Sequence, residues 1–399
     1  MNKVEKTLQN FVDHQEIAGA VVLIRQKGKI VEDFSYGYAD LENKVPVNKS
    51  TMFRLASMTK PIVAIAAMQL VEQKKIGLYT PLKNIFPEFS EMKVCREWIG
   101  DDVYIPDPDS PSGRKIDEKV IEDMEYVPAG SDVTIFQLLN HSSGLGMGPV
   151  GNTIAEKLMN PDDTILERAV KYSKLPMDFQ PGTGSGYSGA VAFEILAAVI
   201  EKVSGEAFSE YLKKHLFKPL GIKDITYELT EEQKSRMPKL YEYREAKLVD
   251  VTKTDPSWKQ MNPMLNAYHS GGAGIVGSIE EYEKIAHMLL NEGTLDGAQV
   301  LKKETVRMMA GEGISHDSVM RPGSFWGIGM SVKNPLPGMQ IARAKGSYGW
   351  SGAYGTHFYV DPAHELEVVL GVNRSNIGGA ASYVSHALED AVKEMFYAD

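Results

Sequence analysis

The sequence is poor in cysteine. Cys95 is the single cysteine among 399 residues, so no disulfide bond can form within the chain. An isolated thiol is typical of proteins from a reducing compartment, and we therefore expect a cytoplasmic protein. The length corresponds to two or three domains of average size, which is enough chain to bury a large core without covalent staples.

Positive charge and long apolar runs are scarce as well. Acidic residues outnumber basic ones by 53 to 43, which gives a formal net charge of -10, and no basic run could neutralise a phosphate backbone. The longest uncharged apolar run, residues 61–71, is far shorter than the roughly 20 residues that span a bilayer. We therefore expect no nucleic-acid partner and no membrane span. The sequence makes no prediction of oligomeric state.

Several common catalytic motifs are missing. The sequence contains no H-E-x-x-H, no paired C-x-x-C and no Walker A loop, so it predicts neither a metal nor another cofactor. Both near matches to the G-x-S-x-G nucleophile elbow end in alanine. One G-x-G-x-x-G match, residues 272–277, does not follow a predicted strand, and we interpret its glycines as a turn between lobes. His141, His269 and His357 are interpreted as ordinary polar or packing residues.

The order of predicted elements indicates an antiparallel sheet with a helical insertion. An amphipathic N-terminal helix precedes two strand-like segments that end near residue 40. The middle of the chain is helical. From residue 320 onward, strand-like segments separated by turns, including residues 339–346, precede a closing helix at 380–397. Because consecutive strands joined by short turns favour antiparallel pairing, we expect the N-terminal hairpin to join the C-terminal strands.

This pairing divides the chain into two lobes. Residues 1–80 and 255–399 would form the sheet lobe, residues 81–254 the helical lobe, and the cleft between them would hold the active site. The helical lobe includes an acidic segment, residues 91–132, with twelve acidic and five basic residues and several prolines. Such a composition predicts a surface excursion rather than a core element.

The most informative motif is Ser57-Met-Thr-Lys60. S-x-x-K also occurs at residues 90–93 and 112–115, but only Ser57 stands at the start of a long apolar helix, predicted over 58–74. Residues at i and i+3 share a helix face, and burial there would favour the neutral amine of Lys60, the base that a serine nucleophile requires. The helix N-terminus would offer N–H groups to an oxyanion. Taken alone, the motif is better explained by a capping serine and a surface lysine.

Two glycine-rich segments favour the catalytic interpretation. Residues 181–189, PGTGSGYSG, present one tyrosine, Tyr187, directly before an apolar helix. The second segment, GWSGAYGTHFYVDP, begins at Gly349 and has the pattern of a strand whose glycines let a ligand approach the backbone. Each segment by itself could be purely structural.

Together these motifs resemble the serine β-lactamase and penicillin-binding-protein superfamily. The resemblance is strongest to the class C β-lactamase-like esterases called family VIII carboxylesterases. It covers nearly the whole chain and includes GYADLENKVPV before the nucleophile, TIFQLLNHSSGL, SGGAGIVGSIEEYEKIAHMLLNEG and VLGVNRS. It implies an α+β fold of the β-lactamase/transpeptidase type, in which helices flank an antiparallel sheet and an all-helical lobe completes the cleft.

The resemblance also implies roles for individual residues. Ser57 would be the acylated nucleophile, Lys60 and Tyr187 the proton-transfer pair, and the backbone N–H groups of Ser57 and Ala353 the oxyanion hole. The remaining positions implied in substrate binding are Trp350, Ser351, Gly352 and Gly189.

Two positions depart from the superfamily pattern. Trp350 replaces the lysine of K-T-G, which removes the cation for a substrate carboxylate and supplies aromatic contact instead. Gly189 replaces the amide of Y-x-N. A W-x-G third motif is similar to that of the esterase branch, and both changes remove polar recognition of β-lactams and D-peptides.

These observations predict a serine carboxylesterase that hydrolyses small uncharged esters through an acyl-enzyme, without a cofactor. Within the superfamily the alternatives are β-lactamase, D-aminopeptidase or D,D-peptidase activity, and acyl transfer. A non-catalytic binding module on the same fold is the alternative from another class.

Overall fold

The computed structural model describes residues 1–97, 103–106, 114–255, 268–319 and 321–397. The helices in these ranges are α1 (Lys3–Asp13), α2 (Thr59–Glu72), α3 (Glu118–Glu122), α4 (Ile135–Leu139), α5 (Pro149–Leu158), α6 (Ile165–Tyr172), α7 (Val191–Ser204), α8 (Phe208–Leu212), α9 (Glu231–Ser235), α10 (Ile279–Leu290), α11 (Lys303–Met309) and α12 (Tyr383–Phe396).

The strands that shape the main sheet come from both ends of the chain. In chain order the strands are β1 (Gly19–Gln26), β2 (Lys29–Asp40), β3 (Val45–Pro46), β4 (Phe53–Arg54), β5 (Lys93–Cys95), β6 (Tyr104–Pro106), β7 (Arg114–Ile116), β8 (Tyr126–Pro128), β9 (Ile225–Thr226), β10 (Tyr241–Arg244), β11 (Lys247–Asp250), β12 (Val276–Gly277), β13 (Thr294–Leu295), β14 (Ala298–Gln299), β15 (Ser324–Trp326), β16 (Ser331–Lys333), β17 (Tyr348–Ser351), β18 (His357–Asp361) and β19 (Leu366–Gly371).

Eight of these strands form one antiparallel sheet in the order β15-β16-β17-β18-β19-β1-β2-β3. The N-terminal hairpin joins the C-terminal strands through β1 and β19, where Val22 lies opposite Leu370. The predicted fold class, an antiparallel sheet flanked by helices with a helical lobe beside it, is confirmed.

Strand β1 is apolar without alternation because both of its faces are buried. Val21 and Leu23 pack into the large core that includes α2, α7 and α10. Val22 and Ile24 face the opposite side, where α1 and α12 cover the sheet. A strand covered by helices on both faces needs apolar side chains at every position, which explains the run GAVVLI.

Helix α2 is the central element of the large core. Its residues from Thr59 to Leu70 are all buried, although the helix includes Lys60 and Gln69. A helix that is apolar all round belongs in an interior, as the sequence predicted.

Two local expectations need correction. Residues 339–346, predicted as a strand, form an irregular loop between β16 and β17, although their apolar residues are spaced as in a strand. The acidic segment is not wholly a surface excursion, because β5 pairs with β8 and buries Val94 and Cys95. Its residues 98–102 and 107–113 lie outside the described ranges.

In the described part of the chain, every helix is too short or too polar to cross a bilayer. The cytoplasmic location and the lobe boundaries at residues 80 and 255 stay predictions.

The buried face of β1 predicts a measurable stability difference. Val22 is fully buried, whereas Val31 on neighbouring β2 is 44% exposed. We expect Val22→Ala to lower the free energy of unfolding in urea by ~2 kcal/mol, because it leaves a cavity in the core. Val31→Ala makes the same change in β-propensity at an exposed position and is the matched control. It should lower the free energy of unfolding by less than about 0.5 kcal/mol. Equal losses would contradict the assigned two-sided burial of β1.

Candidate active site

Ser57 lies at a sharp turn between β4 and α2. Ala56 before it has a φ of +45°, which is unusual for a residue with a side chain, and residues Ala56–Met58 form a 3₁₀ turn that continues into α2. The neighbours on both sides are buried, whereas Ser57 itself is partly exposed. Strained backbone of this kind is found at functional sites, where surrounding packing holds a side chain in place.

Lys60 is fully buried one turn further along α2. Its Nζ donates hydrogen bonds to Ser57 Oγ (3.2 Å), to the Gly189 carbonyl oxygen (2.6 Å) and to the Gly272 carbonyl oxygen (2.8 Å). Three acceptors match the three N–H donors of an ammonium group. Loss of one proton would leave a lone pair within reach of the serine hydroxyl, so this geometry can transfer a proton between Ser57 and Lys60.

The Gly272 carbonyl is fixed by close packing and by a buried carboxylate. A Cβ at Gly272 would lie 2.9 Å from Ala190 Cα, so a side chain does not fit there. Ser270 Oγ donates to Glu194 on α7 (3.0 Å) and accepts from the N–H groups of Gly272 (3.3 Å) and Ala273 (3.2 Å). Glu194 therefore anchors the loop that carries this acceptor.

Tyr187 lies above Lys60 in a group of aromatic rings. Its ring centroid is 5.0 Å from Lys60 Nζ, and its hydroxyl accepts a hydrogen bond from Trp350 Nε1 (3.1 Å). Trp350 in turn packs edge-on against Trp326, with 4.3 Å between centroids. The described residues show no hydrogen bond from the Tyr187 hydroxyl to Lys60 or Ser57, so the tyrosine is held beside the pair by Trp350.

His141 fixes the loop that carries Tyr187 through hydrogen bonds to its neighbours in the chain. The N–H of Gly186 donates to the His141 carbonyl oxygen and the N–H of Ser188 donates to His141 Nδ1, both at 3.1 Å. Burial, together with the nearby charge of Lys60, holds the pKa of His141 well below its usual value. The imidazole is therefore neutral and accepts from Ser188, while the backbone carbonyl of His141 accepts from Gly186, so this one residue holds the loop on both sides of Tyr187.

Strand β17 ends against the residues that precede the serine. A Cβ at Gly352 would lie 2.3 Å from the Leu55 carbonyl oxygen, which makes glycine necessary at this position. Thr356 Oγ1 donates to the same carbonyl (3.2 Å). Ala353, which follows Gly352 in the chain, is exposed, and its N–H forms no hydrogen bond with the described residues.

Trp350 and Ser351 point to opposite faces of β17, as neighbours in a strand do. Trp350 contacts Tyr187, whereas Ser351 is buried and its hydroxyl lies 2.8 Å from His357 Nδ1. No cluster of three metal-binding side chains occurs in the described ranges.

Comparison with known proteins agrees with this fold. The sequence profile of the family described as Beta-lactamase matches residues 4–393. The chain belongs to the Beta-lactamase family. Esterase EstB from Burkholderia gladioli is 27% identical over 413 residues, covering 98% of this chain and 94% of its own.

Solved structures show the same fold over nearly the full length. EstCE1, described as a hydrolase with promiscuous acyltransferase activity, superposes with a TM-score of 0.78 at 24% identity, covering 98% of this chain and 97% of its own. Simvastatin synthase LovD from Aspergillus terreus gives 0.76 at 20% identity, covering 99% and 98%. The prediction of a serine hydrolase on the β-lactamase fold is confirmed.

The structure brings together most residues that the sequence singled out. Ser57, Lys60 and Gly189 are in direct contact, and Tyr187 and Trp350 lie beside them. Sequence reasoning missed three contributors, namely Gly272, Glu194 and His141. Gly272 belongs to the glycine-rich 272–277 motif, which was interpreted only as a turn, and His141 belongs to the HSSGL segment, where its packing role gave no catalytic signal.

The two carbonyl acceptors of Lys60 give a matched pair of substitutions. A Cβ at Gly189 would meet no atom within 4 Å, whereas one at Gly272 collides with Ala190. We expect Gly272→Ala to slow labelling of Ser57 by a fluorophosphonate at least tenfold, because displacement by a fraction of an ångström misaligns Lys60. Gly189→Ala should label within about twofold of wild type. Intact-protein mass spectrometry over time measures both rates, and equal rates would contradict the carbonyl's role.

Proposed function

We propose that this protein is a serine carboxylesterase of the family VIII type, which hydrolyses small uncharged esters through an acyl-enzyme on Ser57. The observation that carries the proposal is the buried Lys60 amine 3.2 Å from Ser57 Oγ. The likeness to esterase EstB supports the ester as substrate class.

In the proposed acylation step, the neutral amine of Lys60 accepts the Ser57 proton while Oγ attacks the ester carbonyl carbon. The negative charge on the carbonyl oxygen is stabilised by the N–H groups of Ser57 and Ala353. Collapse of the tetrahedral intermediate breaks the bond to the alcohol, whose oxygen takes the proton back from Lys60 by way of Tyr187. Water then attacks the acyl-enzyme and gives a proton to the same pair. Collapse of this second intermediate breaks the bond to Ser57 Oγ, which takes that proton back as the acid is released.

The groups around the serine favour an uncharged substrate. Trp350 presents an indole where the superfamily has a lysine, and it packs against the half-buried ring of Tyr187. The fully buried rings of Trp326 and His141 support these two residues. Gly189 adds a carbonyl already bound to Lys60 and no side-chain amide. A small acyl group can use the aromatic surface without leaving a carboxylate or an amide unpaired.

Substitution of the proposed nucleophile and proton carrier tests the mechanism directly. We expect Ser57→Ala to lower turnover of p-nitrophenyl acetate and butyrate at least about 10³-fold, because no acyl-enzyme can form, and Tyr187→Phe to lower kcat about 10²-fold. Steady-state kinetics on the two esters provides the measurement. An active Ser57→Ala variant would refute the assignment.

The hydrogen bond from Trp350 to Tyr187 predicts that Trp350 also affects kcat. Trp350→Phe keeps an aromatic ring but removes the indole N–H donor, so kcat should fall about fivefold, the worth of one ordinary hydrogen bond. In Tyr187→Phe, which lacks the hydroxyl, the further change Trp350→Phe should have little effect. Additive losses in the double variant would contradict this coupling.

Acyl transfer is the second candidate within this mechanism, because an alcohol could replace water in the deacylation step. The structural likeness to a hydrolase with acyltransferase activity and to simvastatin synthase motivates the comparison. Addition of a primary alcohol during turnover, followed by chromatography of the products, distinguishes hydrolysis from transfer. Nitrocefin turnover measures any β-lactamase activity, which we expect to be weak.

A further inference from the structure

A small cavity lies between helix α12 and the edge of the main sheet formed by β15, β16 and β17. Its volume is about 50 Å³. Trp326 and Trp350 form part of its wall, so it borders the aromatic group of the active site. The remaining wall is rich in charge, with Arg321, Lys333 and Arg343 against Glu389.

Positive charge exceeds negative charge around this cavity. Glu389 is buried, which by itself would favour its neutral form, but Arg343, His357 and Lys333 lower its pKa to about 2. Burial lowers the pKa of His357, so this imidazole adds no charge at neutral pH. One carboxylate thus faces three cations. Arg343 lies within ion-pair distance of Glu389, Arg321 is exposed and donates to the Ala380 carbonyl oxygen (3.0 Å), and Lys333 has no ion-pair partner among the described residues.

Arg343 and Lys333 have hydrogen-bond donors that the described residues do not satisfy. Arg343 is only 7% exposed and its Nε lies 3.3 Å from Glu389 Oε1, but neither its Nε nor its Nη1 has an acceptor in hydrogen-bonding geometry among the described residues. The Lys333 ammonium group forms no hydrogen bond or ion pair with the residues described. A buried guanidinium with unused N–H groups is costly unless an acceptor satisfies it.

We propose that this cavity is a binding site for a small carboxylate. The planar guanidinium of Arg343 fits two carboxylate oxygens, and the Lys333 ammonium group offers a further charged donor from β16. The volume admits a group of this size, since a single water needs only about 10–15 Å³ by the same measure. The Ser351 hydroxyl is already engaged by His357 and serves as part of the wall.

Acetate is the probe, and tryptophan fluorescence is the readout. Two of the four tryptophans line the cavity, so binding should change the emission. In the Ser57→Ala background, which separates binding from turnover, we expect saturable binding with a Kd on the order of 1 mM, the range open to a ligand of four heavy atoms. Sodium chloride at equal ionic strength should leave the emission unchanged.

Variants locate the site. Lys333→Gln and Arg343→Gln should each raise the Kd about tenfold, because each removes a charged donor. Lys303→Gln, which changes a surface lysine on α11 that is paired with Glu292, is the matched control and should bind as the parent does. Circular dichroism checks folding, and Lys333→Gln decides the outcome if Arg343→Gln does not fold. Absence of saturation, an unchanged Kd in Lys333→Gln, or phosphate binding tenfold tighter than acetate would each overturn the proposal.

A kinetic comparison identifies the source of the carboxylate and relies on the proposed esterase function. If the carboxylate belongs to the substrate, Lys333→Gln should lower kcat/KM for mono-p-nitrophenyl succinate and leave that for p-nitrophenyl butyrate unchanged. If it is a free acid, such as the product of ester hydrolysis, both values should be unchanged and only acetate binding should weaken. If the protein hydrolyses neither ester, the proposed esterase function is wrong, but the acetate titration still tests the binding site. The two proposals can therefore fail independently.

Discussion

Burial of the Lys60 amine among three oxygen atoms is the constraint on which the rest of the active site depends. A buried ammonium group is tolerated only when its donors are satisfied. The acceptors belong to three segments that are remote in sequence, namely the turn before α2, the loop before α7 and the loop before β12. Ser57 in the turn before α2 and Lys60 on α2 are therefore aligned only when both loops are in place. The loop before α7 also carries Tyr187, so the same packing sets the tyrosine beside the pair.

This constraint explains why backbone groups, rather than side chains, supply much of the site. Gly272 and Gly352 lie where a Cβ would collide with the backbone of another segment. Their close approach brings a carbonyl to Lys60 and places the end of β17 against Leu55, two residues before the serine. Glu194 and His141 act indirectly. Glu194 fixes the loop that carries Gly272, and His141 fixes the loop that carries Tyr187.

The parts that sequence predicted are those encoded by local patterns. The run GAVVLI indicated a strand, and the apolar helix after Ser57 separated one S-x-x-K from the other two. The roles of Gly272 and His141 were not predictable from pattern, because each acts through a backbone or ring acceptor whose partner is set by tertiary packing. Residues 339–346 were mistaken for a strand because their apolar spacing is compatible with one. In the structure this segment is a loop that instead places Arg343 against Glu389.

Strand β17 lies between an uncharged aromatic environment on one face and a charged environment on the other. Its side chains alternate between the two faces, which explains how the two environments coexist so close together. Trp350 faces the serine side, where the neighbouring rings are uncharged, whereas Ser351 faces His357, Glu389 and Arg343. A lysine at position 350 would add a cation on the serine side of a strand that already has three cations near its other face. Low dielectric strengthens repulsion between such charges. Tryptophan at this position therefore suits both sides, because it supplies apolar contact to an ester and adds no charge beside the buried Arg343.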